Sequence, residues 1–339
     1  MLGAVPGTGR RFAVRLRAGC APVKVPVKVP VMASVMASVM ALSLAASPKP
    51  KPPDRFPPPM IRPPTIALTR HTFVIPDPEV VLIPSIGIVV GSRATLVVDT
   101  GMGRRNAQTV LREVSRISTN ARLYLTATGY EAEHVSGISA FPASTTFVVS
   151  QALQQDLDQL GSRAIASAAR LTPIIGDLLK GAALRRGDIV FEREHVLDLG
   201  GVRVRLLRIG PAHTRGDTVA IVEGEGVVFA GDVVLNRRFL SFTDRSTRQA
   251  WLQALDALEA LRPRTIVTGH GAFGDASIIG RQRAMLQEIW SRVRELKGQG
   301  WSLGRTSRLV DDEFQEKYPD WKATFPNELG PMVKSLYSE

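Results

Sequence analysis

The chain has 339 residues and a single cysteine, Cys20. One thiol cannot close an internal disulfide, and no cysteine cluster exists to hold a metal. Acids are scarce at one end only. Residues 1–63 carry ten Lys or Arg against one acid, Asp54, so +9 of the formal net charge of +12 lies there. The rest of the chain is close to balanced, which excludes a broad basic face on a folded body and makes nucleic acid an unexpected partner. Long apolar runs are missing too. The most apolar stretch, Val29 to Ala46, is short and rich in Ala and Ser, which argues against a membrane span. Histidine is also sparse, with five in all.

What is present begins with a leader. Arg10, Arg11, Arg15, Arg17, Lys24 and Lys28 precede the apolar run, and Ala45-Ala46-Ser47 follows it. Basic, apolar, then small is the order of a secretory signal peptide. Residues 1–46 are read as that peptide, which places the mature protein in the periplasm or outside the cell, without stable membrane insertion. Met32, Met36 and Met40 offer alternative starts, and Arg10-Arg11-Phe12 only faintly resembles a twin-arginine signal. Residues 47–64 hold nine prolines and read as an extended linker, with ordered structure expected from about Thr65.

Beyond the linker, strand and helix signals alternate. Strands are expected at Ile66–Ile75, Val80–Ile83, Ile86–Val90, Ala94–Val98, Ala121–Leu125, Phe147–Val149, Val202–Ile209, Thr218–Val222, Val227–Phe229 and Thr265–Val267. Helices are expected at Asn106–Ile117, Gln151–Leu160, Arg163–Leu179, Thr247–Leu261 and Ile278–Lys297, with a mainly helical tail from Leu303. Trp301, Leu303, Tyr318, Trp321, Phe325 and Tyr337 are too many large apolar groups for a solvated tail. The tail is therefore expected to pack on the core or on a second copy of the chain.

Three of the five histidines sit in separate loops at strand ends. His134 lies in Glu-Ala-Glu-His-Val-Ser-Gly (131–137), His213 in Gly-Pro-Ala-His-Thr-Arg-Gly-Asp (210–217) and His270 in Val-Thr-Gly-His-Gly (267–271). Asp232 ends Phe-Ala-Gly-Asp (229–232). Imidazole and carboxylate converging from separate strand ends can build a metal site. His71 and His195 fit no such block and read as ordinary strand residues.

The order and wording of these blocks resemble the metallo-β-lactamase superfamily, over roughly residues 65–275. The family's first block reads Thr-His-x-His-x-Asp-His-x-x-Gly. Here Thr128, His134 and Gly137 match, Glu133 stands for the Asp, Glu131 for the second His, and Gly129 for the first His. The match continues in His213, in Asp232 and in His270, with Trp251, Leu255 and Leu258 on the preceding helix. Asp99-Thr100-Gly101 is similar to the turn that supports the metal loop from behind. Glu-His-Val-Ser-Gly followed by Ala-Phe-Pro (140–142) is similar to a secreted, hydrolase-like branch.

The resemblance implies an α/β fold, an αββα four-layer sandwich over residues 65–275, with a helical C-terminal extension over 276–339. It implies divalent metal held by Glu131, Glu133, His134, His213, Asp232 and His270, with Asp99 supporting. One site would take Glu133, His134, Asp232 and His270. The other would keep His213, Asp232 and Glu131. Zinc leads, and the carboxylate-rich set also tolerates manganese or iron. The implied activity is hydrolysis of an ester, lactone, lactam or related bond of a small molecule by metal-activated water, with Glu133 or Glu131 handling the proton. Gly129 supplies no ligand, which keeps a second class open: a binding or structural member of the fold without full metal-site function. A histidine restored at 129 is expected to strengthen the weaker site.

Overall fold

The computed structural model describes residues 58–321 and 329–339. The expected leader, Cys20, the linker up to residue 57 and Phe325 lie outside the described residues.

Strands β1 (Ile66–Ala67), β2 (Thr72–Ile75), β3 (Ile86–Val90) and β4 (Thr95–Val98) form an antiparallel meander. β5 (Leu123–Thr126), β6 (Thr146–Ser150) and β7 (Ile189–Phe191) continue that sheet in parallel, so its seven strands lie in chain order. The second sheet has five strands: β8 (Glu194–Asp198), β9 (Arg203–Arg208), β10 (Thr218–Val222), β11 (Val227–Gly231) and β12 (Thr265–Thr268). Its neighbours are antiparallel except β11 and β12. Parallel neighbours need a crossover. Helix α1 (Gly103–Ile117) supplies one between β4 and β5, and a helix at Arg248–Ala260 supplies another between β11 and β12.

The two-residue period of the strands sorts their side chains into layers. On β4, Leu96 and Val98 face the second sheet, while Val97 packs toward Ala107 and Val110 of α1. On β10, Ala220 and Val222 face the first sheet, while Val219 and Ile221 pack toward Trp251 and Leu255 of the Arg248–Ala260 helix. Helix, sheet, sheet, helix is the result. Gly87 permits the close approach of the sheets, because a Cβ there would lie 2.5 Å from the Phe229 ring.

The remaining helices are short between the strands and long at the end. They are α2 (Ala132–Val135), α3 (Gln151–Asp156), α4 (Ser162–Ala168), α5 (Pro173–Leu178), α6 (Arg248–Ala260, above), α7 (Ser277–Gly298), α8 (Leu303–Lys317) and α9 (Gly330–Ser338). The C-terminal helices dock on the outer face of the second sheet's helix layer. Val310, Phe314, Met332, Val333 and Leu336 are buried in one cluster with Trp251, Ile289 and Val293. Each such side chain contributes roughly 1.5–3 kcal/mol of burial. Trp301, Leu303, Tyr318, Trp321 and Tyr337 pack partly buried against the same cluster.

Several elements differ from the sequence expectation. The helix expected over 163–179 is two, because Thr172 caps the Ile175 amide (3.2 Å) and Pro173 opens α5. The helix expected over 151–160 becomes α3 followed by a π-helical turn, Leu157–Gly161. Residues 80–83 form a turn rather than a strand, with Leu82 at φ 64°. The strand expected over 66–75 breaks into β1 and β2. Its break holds His71, whose Nδ1 lies 2.7 Å from Glu225 Oε1 at the tip of the β10–β11 hairpin. Thr69 and Thr72 donate to the same carboxylate. No strand range was expected at β7 or β8 and no helix at α2; His195 does lie on a strand, β8, as expected, whereas His71 lies in a break rather than a strand. Order begins before Thr65: Ile61 is buried, and its amide donates to Asn106 Oδ1 (2.8 Å) on α1. Among the described residues, no helix is long and apolar enough to cross a membrane.

Candidate metal centre

The site forms where the ends of both sheets meet. Asp99 follows β4 in a left-handed turn (φ 68°). Its Oδ1 accepts from the Thr128 amide (2.7 Å), and its Oδ2 lies 3.0 Å from His134 Nδ1. His134 stands on the one-turn helix α2 with Glu133. His213 Nδ1 donates to the Ser241 carbonyl (2.6 Å), and His270 Nδ1 to the Ile83 carbonyl (3.0 Å). A carbonyl only accepts, so Nδ1 must carry the hydrogen on both rings, and Nε2 is the nitrogen left to act.

All three Nε2 atoms converge on Asp232. His134 Nε2 is 3.4 Å from Asp232 Oδ2, His213 Nε2 is 3.8 Å from the same oxygen, and His270 Nε2 is 3.7 Å from Oδ1. Glu133, His134 and His270 each offer a ligand atom, and these lie within 4.8 Å of one another. On the other flank, Glu131 Oε1 sits 3.2 Å from His213 Nε2. The six expected donors thus meet in one place, with Asp99 behind His134.

The space at Gly129 is filled from an unexpected direction. A Cβ there would lie 2.4 Å from Glu131 Oε2. The Glu131 carboxylate therefore folds over the bare glycine backbone on its way to His213. A histidine restored at 129 would meet that carboxylate first.

Four buried polar atoms here have no hydrogen-bond partner: His134 Nε2, His213 Nε2, Glu131 Oε2 and Asp232 Oδ1. Buried polar groups are rarely left so. Nitrogen and carboxylate donors orphaned around one point suit a divalent cation, and the residues present fit one.

The electrostatics agree. Burial alone would disfavour a charged His134, but Asp99 and Asp232 outweigh it and raise its pKa well above 6.5. Burial likewise opposes a charged His213, yet Glu131 and Asp232 carry its pKa up to about 10. Burial would raise Asp232, but His270, His134 and His213 pull it far below the usual carboxylate range. Burial keeps Glu133 above its usual value against the pull of His134 and His270. The acids thus recruit protons where no cation neutralises them, so a cation must displace those protons to bind.

Supporting residues that the motif reading missed hold the loops. Asp217 accepts from the Ala212 amide (3.0 Å) and the Thr214 amide (2.8 Å), closing the His213 loop on itself. It stands in the same sequence block as His213, four residues on, where an acid after a turn could have marked it. Asp156 pins that loop from α3 through Arg215 Nη2 (2.7 Å) and the Gly216 amide (2.9 Å). Asp77 is buried behind His270, accepts from the Gly271 amide (2.8 Å) and faces the buried Arg238 at 3.4 Å. No sequence signal marks Asp77. Trp251 fixes the stretch after Asp232 by donating Nε1–H to the Val233 carbonyl (3.1 Å).

Two face-to-face sheets with outer helices, and imidazoles and carboxylates gathered at their shared end, define a fold class of metal-dependent hydrolases. The sequence pattern of the metallo-beta-lactamase superfamily matches residues 80–270. The chain belongs to that superfamily, with a partial rather than full set of its usual ligands. Solved structures agree on the fold. A metallo-beta-lactamase from Pontibacter korlensis is 17% identical with a TM-score of 0.52, over 66% of this chain and 98% of that one. The DIM-1 metallo-beta-lactamase is 17% identical with a TM-score of 0.51, over 67% of this chain and 96% of that one. The inverting sec-alkylsulfatase Pisa1 from Pseudomonas sp. is 12% identical with a TM-score of 0.61, over 81% of this chain but 49% of that one. No curated protein sequence matches.

Proposed function

We propose that the protein is an exported metal-dependent hydrolase acting on an ester, lactone, lactam or related bond of a small molecule. One observation carries this reading: three imidazoles, each fixed through Nδ1, turn Nε2 toward the Asp232 carboxylate, and two of those nitrogens are buried beside carboxylates without an aligned hydrogen bond. A divalent ion held there would polarise the scissile group and acidify water. Asp99 keeps His134 in the ligating tautomer, and Asp232 spans the two flanks. Glu131 and Glu133 are the carboxylates within the site that can take and return a proton.

Zinc is the first candidate metal, with manganese or iron tolerated by the carboxylate-rich set. Glu133, His134, Asp232 and His270 would form the tighter site, and His213, Glu131 and Asp232 the weaker. The rival reading, a member of the fold without catalysis, rests on Gly129, and the Glu131 carboxylate in that space counts against it. The test is elemental analysis of purified protein, then hydrolysis assays on esters, lactones, lactams and sulfate esters before and after chelation. The expected outcome is hydrolysis that disappears with the metal and returns with zinc, manganese or iron. A metal-loaded protein inert across the panel would favour the rival reading.

A further inference from the structure

A polar cavity of about 390 Å³ lies between the 235–237 loop, the first turns of α7 and Trp321. Asn236, Arg237, Arg281 and Gln282 supply its polar lining, and none of its described lining residues is acidic. The loop is held from two sides. The Asn236 amide donates to the His270 carbonyl (3.0 Å), and Asn236 Nδ2 donates to the Ala272 carbonyl (2.7 Å). Arg237 is kept in a left-handed conformation, φ 54°, which a residue with a Cβ adopts only under constraint. Arg281 Nη1 donates to a hydroxyl, Ser277 Oγ (2.6 Å).

Gln282 gives an independent sign. Its side chain is 1% exposed, its Oε1 accepts from the Leu235 amide (3.1 Å), and its Nε2 has no partner. Flipping the amide would set NH₂ against the Leu235 N–H, so the orientation is fixed. The cavity therefore has two guanidinium groups and an unused buried donor, and the nearby acid Asp275 reaches Arg281 only through the hydroxyl of Ser277.

We propose that this cavity binds an oxyanion: a sulfate, phosphate or carboxylate group. Guanidinium presents paired N–H groups that match such oxygens, charge-assisted bonds of this kind are among the stronger ones, and the N-terminus of α7 adds a modest favourable dipole. The group is either part of the substrate or a free anion acting as an effector. Asn236 connects the cavity to the backbone of His270, so its occupant is one hydrogen bond away from the candidate metal loop.

The experiment is calorimetric titration of the purified full-length protein with inorganic sulfate, and separately with phosphate, at ionic strength held constant with chloride. Saturable binding of one anion per chain is expected, weakened at least tenfold in Arg237→Gln and in Arg281→Gln. Both residues are exposed, so the variants should fold, and their metal content should match the parent protein. Absence of saturable binding, or variants that bind like the parent, would overturn the proposal. A kinetic arm separates the sources and rests on the hydrolase reading. Sulfate that raises KM alone for an anionic substrate marks the substrate's own group, and sulfate that changes kcat marks an effector. The calorimetric arm needs no activity, so an inert protein that still binds sulfate through Arg237 and Arg281 leaves this site standing.

Discussion

Adding one methyl group at position 129 should disable the weaker metal site without replacing any of its ligands. In Gly129→Ala the new Cβ would stand 2.4 Å from Glu131 Oε2, where ordinary contact begins near 3.4 Å. The cheapest relief is for the carboxylate, the far end of a flexible side chain, to retreat by about 1 Å. Glu131 Oε1 now lies 3.2 Å from His213 Nε2, so the retreat opens that contact. Metal–ligand distances tolerate only about ±0.2 Å, so a shift of that size removes Glu131 from the ligand set. Loss of even a supporting group typically costs about 10–100-fold in metal affinity, and loss of a ligand should cost at least as much. Equilibrium dialysis against zinc and manganese would measure this for Gly129→Ala, Glu131→Ala and the double variant. If the methyl acts through Glu131, the double variant should match Glu131→Ala alone, since the two changes share one cause. Additive losses in the double variant, or a Gly129→Ala protein with unchanged weak-site affinity, would refute the reasoning.

Other outcomes follow from the same geometry. His270→Ala should abolish tight metal binding, whereas Glu131→Ala should spare the tight metal and lose the second, as read by elemental analysis during metal titration. In metal-free protein the raised pKa of His213 contributes stability that is fully present below about 6.5 and lost as pH rises through about 10. The melting temperature of chelated protein should therefore fall across that window, and His213→Gln should flatten the fall. Phe314→Ala should cost about 3–5 kcal/mol in denaturant unfolding, because α8 is part of the core rather than an appendage. A protein lacking residues 300–339 that keeps its solubility and melting temperature would contradict that view. N-terminal sequencing of periplasmic protein should find cleavage near Ala46, and an intact leader in the cytoplasm would argue against export.

The sequence was most legible where chemistry demands particular residue types. His134, His213, His270 and Asp232 could be picked out because few side chains ligate metal and each sits in its own turn-flanked block. The layer order followed from β-branched strands alternating with amphipathic helices such as α1 and α6. Legibility failed where three-dimensional accidents decide. That Glu131 lies over Gly129 depends on a backbone path, which a string of residue names does not carry. Asp77 holds the His270 loop through a hydrogen bond from the Gly271 amide, 194 positions away in sequence. The break at Thr172-Pro173 was readable from capping chemistry, but the helical periodicity on either side of it masked the stop. The β1–β2 break is closed locally by Thr69 and Thr72, but it is also held by Glu225 on a distant hairpin, which local sequence does not show.

The donors come from both sheets, Glu131, Glu133 and His134 from the first and His213, Asp232 and His270 from the second. No stretch of chain shorter than 131–270 contains them all. A growing chain therefore cannot present them in the finished arrangement. On the exported-hydrolase reading proposed above, the ion acquired would be decided by the compartment where the second half folds onto the first, whatever ions surrounded the ribosome.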